Sequence, residues 1–249
     1  MGTKIHAEAT RVFGAGFDLS CALSNVDARF VRDMASEPVF CDAVAGKAVG
    51  KPTVTLPMQG YMFVGTDGAD IMLHDAYLAA GVKPLTVHSQ SAAGSLGLGF
   101  SGRLTELPYG FKASGAGSIT SGATWQGEYP FRGPVLATET IITGTGALAA
   151  AQWIETIASG KPVGIIVHLS AHAGTPTSIV LKVEEGTDGV GWADVAGLTA
   201  IALSGAAPQV AHVRITAAAA LGPYFRLSCT TFTDYTSATL SAVIGEEAA

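Results

Sequence analysis

Apolar and polar residues alternate most regularly in the stretch 163–184. The odd positions of 163–169 and of 179–183 are all Val, Ile or Leu, and Gly, Thr and Pro lie between the two runs at 174–176. A period of two is typical of a half-buried strand, because successive side chains in a strand point to opposite faces. The stretch therefore predicts a β-hairpin that needs a partner sheet.

The partner strands are expected further along the sequence. Val213 and Ile215 alternate with polar residues, as do Phe225 and Leu227, and a Gly-Pro pair at 222–223 separates the two runs. Pro lacks a ladder donor and Gly tolerates unusual backbone angles, so this pair favours a turn. The C-terminal third is accordingly predicted to be a set of antiparallel strands in a two-layer sandwich or barrel.

Short strands are also predicted near the beginning of the chain. Apolar positions share a parity at 17–20, 26–30 and 53–59, whereas the segment 31–47 breaks that pattern with Glu-Pro and a small-residue tail. We therefore predict that 31–47 is an irregular excursion between strands.

The clearest helix signal covers 70–80. Asp67 and Gly68 precede it as a capping sequence, and Gly81 follows at the position where helices commonly end. One face of this predicted helix carries Ile71, His74, Tyr77 and Leu78.

Glycine and proline divide the middle of the chain into short pieces. A strand is predicted at 82–88, and the Gly-rich stretch 89–102 is predicted to be a mobile loop or a tight packing surface. Trp153, Ile154 and Ile157 are expected to face a core from a short helix within 144–160. Further short strands are predicted at 109–113, 119–124, 128–131 and 135–143. The chain then has a β half at 1–143, which contains the helix, and a β-sandwich half at 144–249.

The composition indicates a surface that other subunits cover. Charged residues make up 14% of the 249-residue chain and hydrophobic residues 48%, whereas a typical soluble protein has about 25% charged residues. The formal net charge is −6 and no run of Lys or Arg occurs, so tight binding to a phosphate backbone is not expected. The sequence shows neither a signal peptide nor an apolar run of membrane-spanning length, which predicts synthesis in the cytosol and no membrane partner.

Cysteine and glycine patterns give no chemical signature. Cys21, Cys41 and Cys229 are widely spaced, so we expect buried free thiols rather than a disulfide framework or a zinc site. Gly97, Gly99 and Gly102 match the letters of a dinucleotide-binding motif, but Pro108 leaves no room for the helix that this motif requires. A packing or turn role is expected for these glycines.

Histidines and acids are likewise assigned structural roles. His168, His172 and His212 share a strand parity, but strand spacing puts the first two about 13 Å apart. No acid or thiolate completes a metal site, so solvent-facing or interface histidines are expected. The cluster of acids near the helix start, which also contains a histidine, has the spacing of a helix cap; its members are Asp67, Asp70, His74 and Asp75. No catalytic signature occurs in the sequence, and we expect neither an enzyme nor a cofactor or metal.

Several pieces of the chain occur in an order that resembles a known family. A Gly-Asp-Ser strand unit lies at 16–20, a charged strand ending in Arg-Asp at 27–33, and a strand between two glycines at 46–60. In the second half, an Asp-Gly-x-x-Trp unit at 187–192 follows a strand, and a strand containing Val-Arg comes after it. This order is similar to that of the major tail tube proteins of long-tailed bacteriophages.

The resemblance implies a mainly β fold, an antiparallel β-sandwich or barrel of the phage tail tube type with one or two short helices. It also implies a structural virion protein that self-assembles into stacked rings, together with other tail proteins, and lets DNA pass through the lumen without specific binding. Rings of six chains, or of three internally doubled chains, both stay open. The alternatives are a head decoration or neck protein and a carbohydrate-binding β-sandwich.

Ring-to-ring contacts are expected in two segments, 31–47 and the Gly-rich stretch 89–102. The residues selected there as candidate contacts are Glu37, Phe40, Ser95, Leu96, Leu98 and Phe100.

Overall fold

A computed structural model describes residues 10–20, 23–37, 46–61, 69–79, 81–107, 109–111 and 119–248. Within these ranges the chain forms one α-helix and sixteen strands, all in one sheet. The predicted fold class, mainly antiparallel β with a short helix, is confirmed. Phe40, Cys41 and Asp67 lie outside the described residues, as does Pro38 of the predicted excursion.

The elements follow one another along the chain as β1 (Arg11–Gly14), β2 (Phe17–Asp18), β3 (Leu23–Val26), β4 (Arg29–Glu37), β5 (Gly46–Tyr61), α1 (Ala69–Ala79), β6 (Lys83–His88), β7 (Leu96–Glu106), β8 (Tyr109–Phe111), β9 (Ile119–Ile142), β10 (Gly146–Ala147), β11 (Ala151–Gln152), β12 (Val163–Gly186), β13 (Ala193–Asp194), β14 (Ile201–Leu203), β15 (Gln209–Ile215) and β16 (Tyr224–Glu247).

Three strands of 24 residues, β9, β12 and β16, connect all parts of the sheet. β16 pairs with β12 along nearly its whole length and with the second half of β9 along its other edge. The first half of β9 lies between β5 and β7. From β15 the order runs through β12, β16, β9, β7 and β6 to the β1–β2 hairpin.

The two ends of this series approach each other, since Gly16 in the hairpin turn donates its backbone N–H to the side chain of His168 of β12, so the sheet curves into an open barrel. Its interior contains Phe131, Val135, Ile166 and Val243, all fully buried. Gly99 of β7 lies against the Phe131 ring, because a Cβ atom there would stand 2.2 Å from that ring. The small residue therefore leaves room for the large one, as close packing in an interior requires.

A second core lies on the outer face of the barrel wall, beneath α1. Leu73 and Ala76 of the helix are buried against it, whereas Tyr77 and Leu78 are exposed. The helix is confirmed within one residue of its predicted ends. The predicted apolar face is wrong, because Leu73 and Ala76 face the sheet instead of Tyr77 and Leu78.

The strands β12 and β16 together fold back on themselves around the third and largest core. A straight strand of 24 residues would span about 80 Å. The Ala218 N–H donates to the backbone carbonyl of Lys161, just before β12, and the Gly222 N–H donates to the side-chain carboxylate of Glu185 near the end of β12. Four residues bridge at most about 14 Å, so the two ends of β12 lie close together.

The predicted hairpin at 163–184 is therefore wrong in its pairing. Both halves of β12 pair with β16, and their odd-numbered side chains meet across one core. The register shifts at 169–178, where Gly174 has a φ of 100°, and this bend lets continuous strands pass from one layer to the other. The antiparallel partner strands predicted at 212–216 and 225–230 are confirmed, in β15 and β16.

Three other predictions are corrected in the same way. Residues 31–37 and 46–47 of the expected excursion are strand. The segment 144–160 contains β10 and β11 instead of a helix; Trp153 and Ile157 face the largest core as expected, whereas Ile154 is 85% exposed. The pieces predicted between 119 and 143 are one strand, because Pro130 lies in a bulge beside Tyr129, which has a φ of 54°.

Candidate assembly surface and barrel interior

One face of the sheet formed by β4, β5, β9 and β7 is open and polar. Arg29, Thr55, Gln126 and Arg103 are aligned in a row across these four strands, and their side chains are exposed or half-exposed. Directly paired residues project from the same face of a sheet. We call this surface the open face; its described members also include Thr53, Pro57, Gln59, Ser101, Thr105, Glu106, Thr124 and Glu128.

The opposite face of the same strands is apolar. Leu56, Trp125 and Leu104 form the adjacent row and are buried in the core beneath α1. This alternation is typical of an antiparallel sheet with one face on a core and one face toward water.

The open face mixes both signs of charge. Arg29 lies 2.6 Å from Asp27 in a salt bridge, and Thr124 donates a 3.3 Å hydrogen bond to Glu106. Arg103 is exposed on the same surface. In its described part the open face is therefore polar rather than strongly acidic.

Several strands leave a backbone edge without a ladder partner in the part of the chain that the structure describes. β3 and β4 pair only with β5, and β15 pairs only with β12. Such edges can pair with a strand of another chain.

The candidate contact residues are placed in different settings. Glu37 ends β4, and the hydroxyl of Ser95 donates a hydrogen bond to the Gln90 carbonyl in the turn that precedes β7. Leu96, Leu98 and Phe100 belong to β7 itself. Phe100 is 1% exposed in the chain's own core.

The interpretation of 96–102 as a loop is therefore wrong, whereas the tight-packing alternative is confirmed. A Cβ atom at Gly97 would stand 2.6 Å from Val243, and one at Gly102 would stand 2.9 Å from the Gln126 backbone. The sequence does not show a strand period in this stretch, because glycine instead of an apolar side chain occupies the positions that face these neighbours.

A pocket of about 630 Å³ lies where the barrel meets the open face. Its walls include Arg103, Glu128, Tyr129 and His212. The Nδ1 atom of His212 lies 2.7 Å from the Ser101 hydroxyl. Burial lowers the pKa of His212, which favours a neutral imidazole at this corner.

An ion pair links β15 and β16 across β12 next to this pocket. Arg214 of β15 makes a two-pronged salt bridge with Glu247 of β16, which is 2% exposed. The guanidinium carbon also lies 3.8 Å from the centre of the Tyr129 ring. Hydrogen bonding to Glu247 raises the pKa of Arg214. Gly164 of β12 lies between the two strands and leaves room for the contact.

Two histidines lie inside the barrel. His88 and His168 are fully buried, with ring centroids 5.0 and 5.8 Å from that of Phe13. Burial lowers the pKa of each to about 3, and for His168 the charge of His88 contributes as well. The expectation that His168 faces solvent or an interface is therefore wrong, because the ring is buried within the chain itself.

Each of these imidazoles bonds through Nδ1. The backbone N–H of Gly16 donates to His168 Nδ1 at 3.2 Å, and His88 Nδ1 lies 2.7 Å from the Thr138 hydroxyl. Because Nδ1 of His168 accepts the Gly16 N–H, it must carry a lone pair. His168 is therefore neutral, with its proton on Nε2. Sequence reasoning missed His88, because a histidine alternating with Leu and Val is typical of the exposed face of a strand.

Other candidate chemistry is structural in the described residues. They contain no group of three or more His, Cys, Asp or Glu residues that could hold a metal, and Cys229 is a buried free thiol. Trp125 and Trp153 are buried. The half-buried Trp192 has the Arg226 guanidinium 4.2 Å from its ring centre, so an aromatic platform for sugars is not favoured. Within the described ranges no helix has the length and apolar character needed to cross a membrane.

Comparisons with known proteins give structural neighbours only. No family model and no curated protein matches the chain. The solved structures to which it is similar include components of phage tails and related particles. The tail tube proteins that the sequence resembles are among these neighbours.

Three of these structures cover the chain to different extents. The SPP1 tail tube has a TM-score of 0.42 and 9% identity, covering 53% of this chain and 80% of its own. A gene transfer agent tail has a TM-score of 0.38 and 10% identity, covering 51% and 94%. The SPP1 Dit protein, from the hub of an adsorption apparatus, has a TM-score of 0.35 and 12% identity, covering 94% and 98%.

Proposed function

We propose that this chain is a structural subunit of a tube, the major tail tube protein of a long-tailed bacteriophage, which forms rings that stack around a channel for DNA. The open face carries the proposal. It is a sheet surface of Thr, Gln, Arg and Glu side chains whose reverse side is a complete apolar core. A monomer can also leave one face of an antiparallel sheet to water, but a channel wall requires such a polar face.

Edge pairing between copies would turn this surface into a continuous lumen. Strand addition to an open edge supplies main-chain hydrogen bonds between chains, and β4 provides such an edge in the described residues. The open faces of the joined copies would then line the channel, with α1 on the outside. Mixed charges and hydroxyl groups on this lining would let a phosphate backbone slide without binding specifically.

The two halves of the chain take different roles in this proposal. Residues 1–143 build the tube wall, and 144–249 form a sandwich around the folded-back pair β12 and β16. Ring-to-ring contacts remain assigned to Glu37, Phe40, Ser95, Leu96 and Leu98. We assign Phe100 to the internal core because its side chain is buried there.

The proposed partners are further copies of the chain in six-membered or three-membered rings, other tail proteins and the passing DNA. The subunit would be made in the cytoplasm of a bacterial host and would then reside in the virion tail. It acts by shape and self-association, without catalysis.

Electron microscopy of the purified protein over a range of concentrations tests the proposal. Hollow tubes of stacked rings are expected, and their rotational symmetry would decide between six and three chains. A dispersed monomer would contradict the proposal and favour a binding module such as a carbohydrate-binding β-sandwich. Oligomers that bind only capsids would instead favour a head decoration or neck protein.

A labelling experiment tests the orientation of the open face. Gln126→Cys places a thiol on this face, and Ile154→Cys places one on the second half, where Ile154 is 85% exposed. In the dispersed protein, a maleimide attached to a large carrier should label both variants. In tubes only the Ile154→Cys variant should be labelled, since the carrier cannot enter the channel. Equal labelling of both variants in tubes would contradict a lumen position.

A further inference from the structure

The barrel has a seam at which no backbone ladder joins its first and last strands in the described residues. The β1–β2 hairpin spans residues 11–18, and its turn lies against Gln209 at the start of β15. A Cβ atom on Gly16 would stand 2.5 Å from the backbone nitrogen of Gln209. The turn therefore touches the neighbouring strand closely, although the two strands share no ladder.

Across this seam, a histidine accepts a hydrogen bond from the hairpin. Gly16 donates its N–H to His168 Nδ1, while Phe13 of the same hairpin packs on both His168 and His88. The hairpin thus covers the two imidazoles and is held partly by one of them. Removing the hairpin would expose both rings to water.

We propose that His168 is an acid-sensitive latch that holds the β1–β2 hairpin closed, and that protonation of His168 and His88 releases the hairpin before the remainder of the molecule unfolds. The latch is a property of the single chain and does not depend on tube formation.

Protonation would break the latch for two reasons. An imidazolium has no lone pair at Nδ1, so it cannot accept the Gly16 hydrogen bond. It would also be a buried charge, which is costly unless an opposite charge lies beside it.

No described carboxylate faces the two rings. Glu139 pairs with Arg11 on the exposed side, Asp18 accepts a hydrogen bond from the Ser20 backbone, and Glu247 pairs with Arg214 at the far end of β15. Other groups on the packed elements bond elsewhere: His172, Lys182 and Glu184 of β12, His212 of β15, Arg226, Asp234 and Glu246 of β16, and Arg132 of β9. Lys83 of β6, Glu185 of β12 and Glu128 of β9 likewise have no described hydrogen bond to either ring.

The expected size of the effect follows from proton linkage. The open hairpin lets both histidines titrate near their ordinary pKa of about 6.5, whereas the closed state holds them neutral. Below pH 6.5, each pH unit should therefore increase the opening equilibrium about tenfold for each histidine that becomes exposed. Two histidines give up to about a hundredfold per pH unit.

Hydrogen exchange measured by mass spectrometry on the full chain tests the latch. Exchange is followed from pH 7 to pH 4 and expressed as protection relative to the intrinsic rate at each pH. We expect protection of residues 10–20 to fall steeply with acid, while the β12–β16 ladder stays protected. Simultaneous loss in both regions would overturn the proposal.

Variants separate the latch from general acid sensitivity. In His168→Asn, the side-chain amide oxygen can replace Nδ1 as the acceptor, and it does not titrate. The acid-induced increase of the opening equilibrium, measured as lost protection of residues 10–20, should therefore be smaller by about tenfold per pH unit. His172→Asn is the matched control, because His172 also accepts a backbone N–H, from Ala207 at 3.0 Å, but has no described hydrogen bond to the hairpin. It should leave the response of the hairpin unchanged. An identical acid response in both variants would refute the latch.

The unmodified protein gives an independent measurement if His168→Asn does not fold. The amide resonance of Gly16 should move upfield on acidification as its hydrogen bond breaks, and this should occur while the resonances of β16 keep their folded positions. A Gly16 resonance that changes only together with those of β16 would overturn the proposal.

Discussion

The close approach of β9 and β16 at Gly133 makes a substitution there a direct test of the packing. A Cβ atom at this position would stand 2.1 Å from the carbonyl oxygen of Ile244 and 2.7 Å from the Cα atom of Gly245. Ordinary carbon–oxygen contacts are about 3.3–3.6 Å, so one strand would have to move by more than about 1 Å. Both strands are central in the sheet, and backbone atoms cannot rotate away as a side chain could.

The expected cost of Gly133→Ala combines two opposing effects. Overpacking of a tight interior costs about 1–3 kcal/mol, and the rigid surroundings favour the upper end of that range. Alanine also reduces the conformational entropy of the unfolded chain, which stabilises the folded state by about 0.4–1 kcal/mol. We therefore expect a net loss of about 2 kcal/mol, which corresponds to a fall in Tm of roughly 4–8 °C for a chain of this size.

Gly144→Ala is the matched control for this substitution. No atom lies within 4 Å of a Cβ placed on Gly144, so the same change should be neutral or stabilising by up to about 1 kcal/mol. Urea denaturation at constant pH measures both variants, and the slope should stay unchanged while the midpoint moves. Equal midpoints for the two variants would refute the packing of β9 against β16.

Two further predictions concern charged groups. Because the pKa of His88 and of His168 is about 3 in the folded chain against 6.5 for the ordinary group, the unfolded state binds more protons between these values. The free energy of unfolding should thus fall as the pH is lowered from 6.5, by at most about 5 kcal/mol at pH 4.5; urea titrations that give the same value at both pH values would contradict this. Glu247→Gln should cost about 1–3 kcal/mol in the same assay, since Arg214 loses its buried carboxylate. Glu246→Gln, which removes a more exposed ion pair, should cost less than about 1 kcal/mol, and equal losses would argue against the buried pair.

Local pattern was sufficient to predict strand character, the helix and the antiparallel class. The alternation in 163–169 and 179–183 correctly grouped the odd-numbered positions of β12 on one core, which contains Ile165 and Leu181. Length and pairing were not predictable in this way. The sequence predicts a hairpin turn at Gly174, but a bend and a turn require the same permissive residue, and only the partner strand β16 distinguishes them.

The candidate surfaces were less accessible to sequence reasoning. The open face depends on the alignment of Arg29, Thr55, Gln126 and Arg103, which come from strands far apart in the chain. His168 shows the same limit, because its burial is caused by a hairpin from the opposite end of the described chain. A period of two identifies the faces of a strand, and tertiary contacts decide which face is covered.

The central position of β16 sets the order of events during synthesis. β16 lies between β12 and the second half of β9, yet the ribosome makes both neighbours first. Until residue 247 has emerged, the edges of β12 and of the second half of β9 that flank β16 have no partner, although β12 already pairs with β15 and the first half of β9 with β5 and β7. The sheet of a nascent chain therefore stays in two parts, and these parts join only after translation has passed this strand.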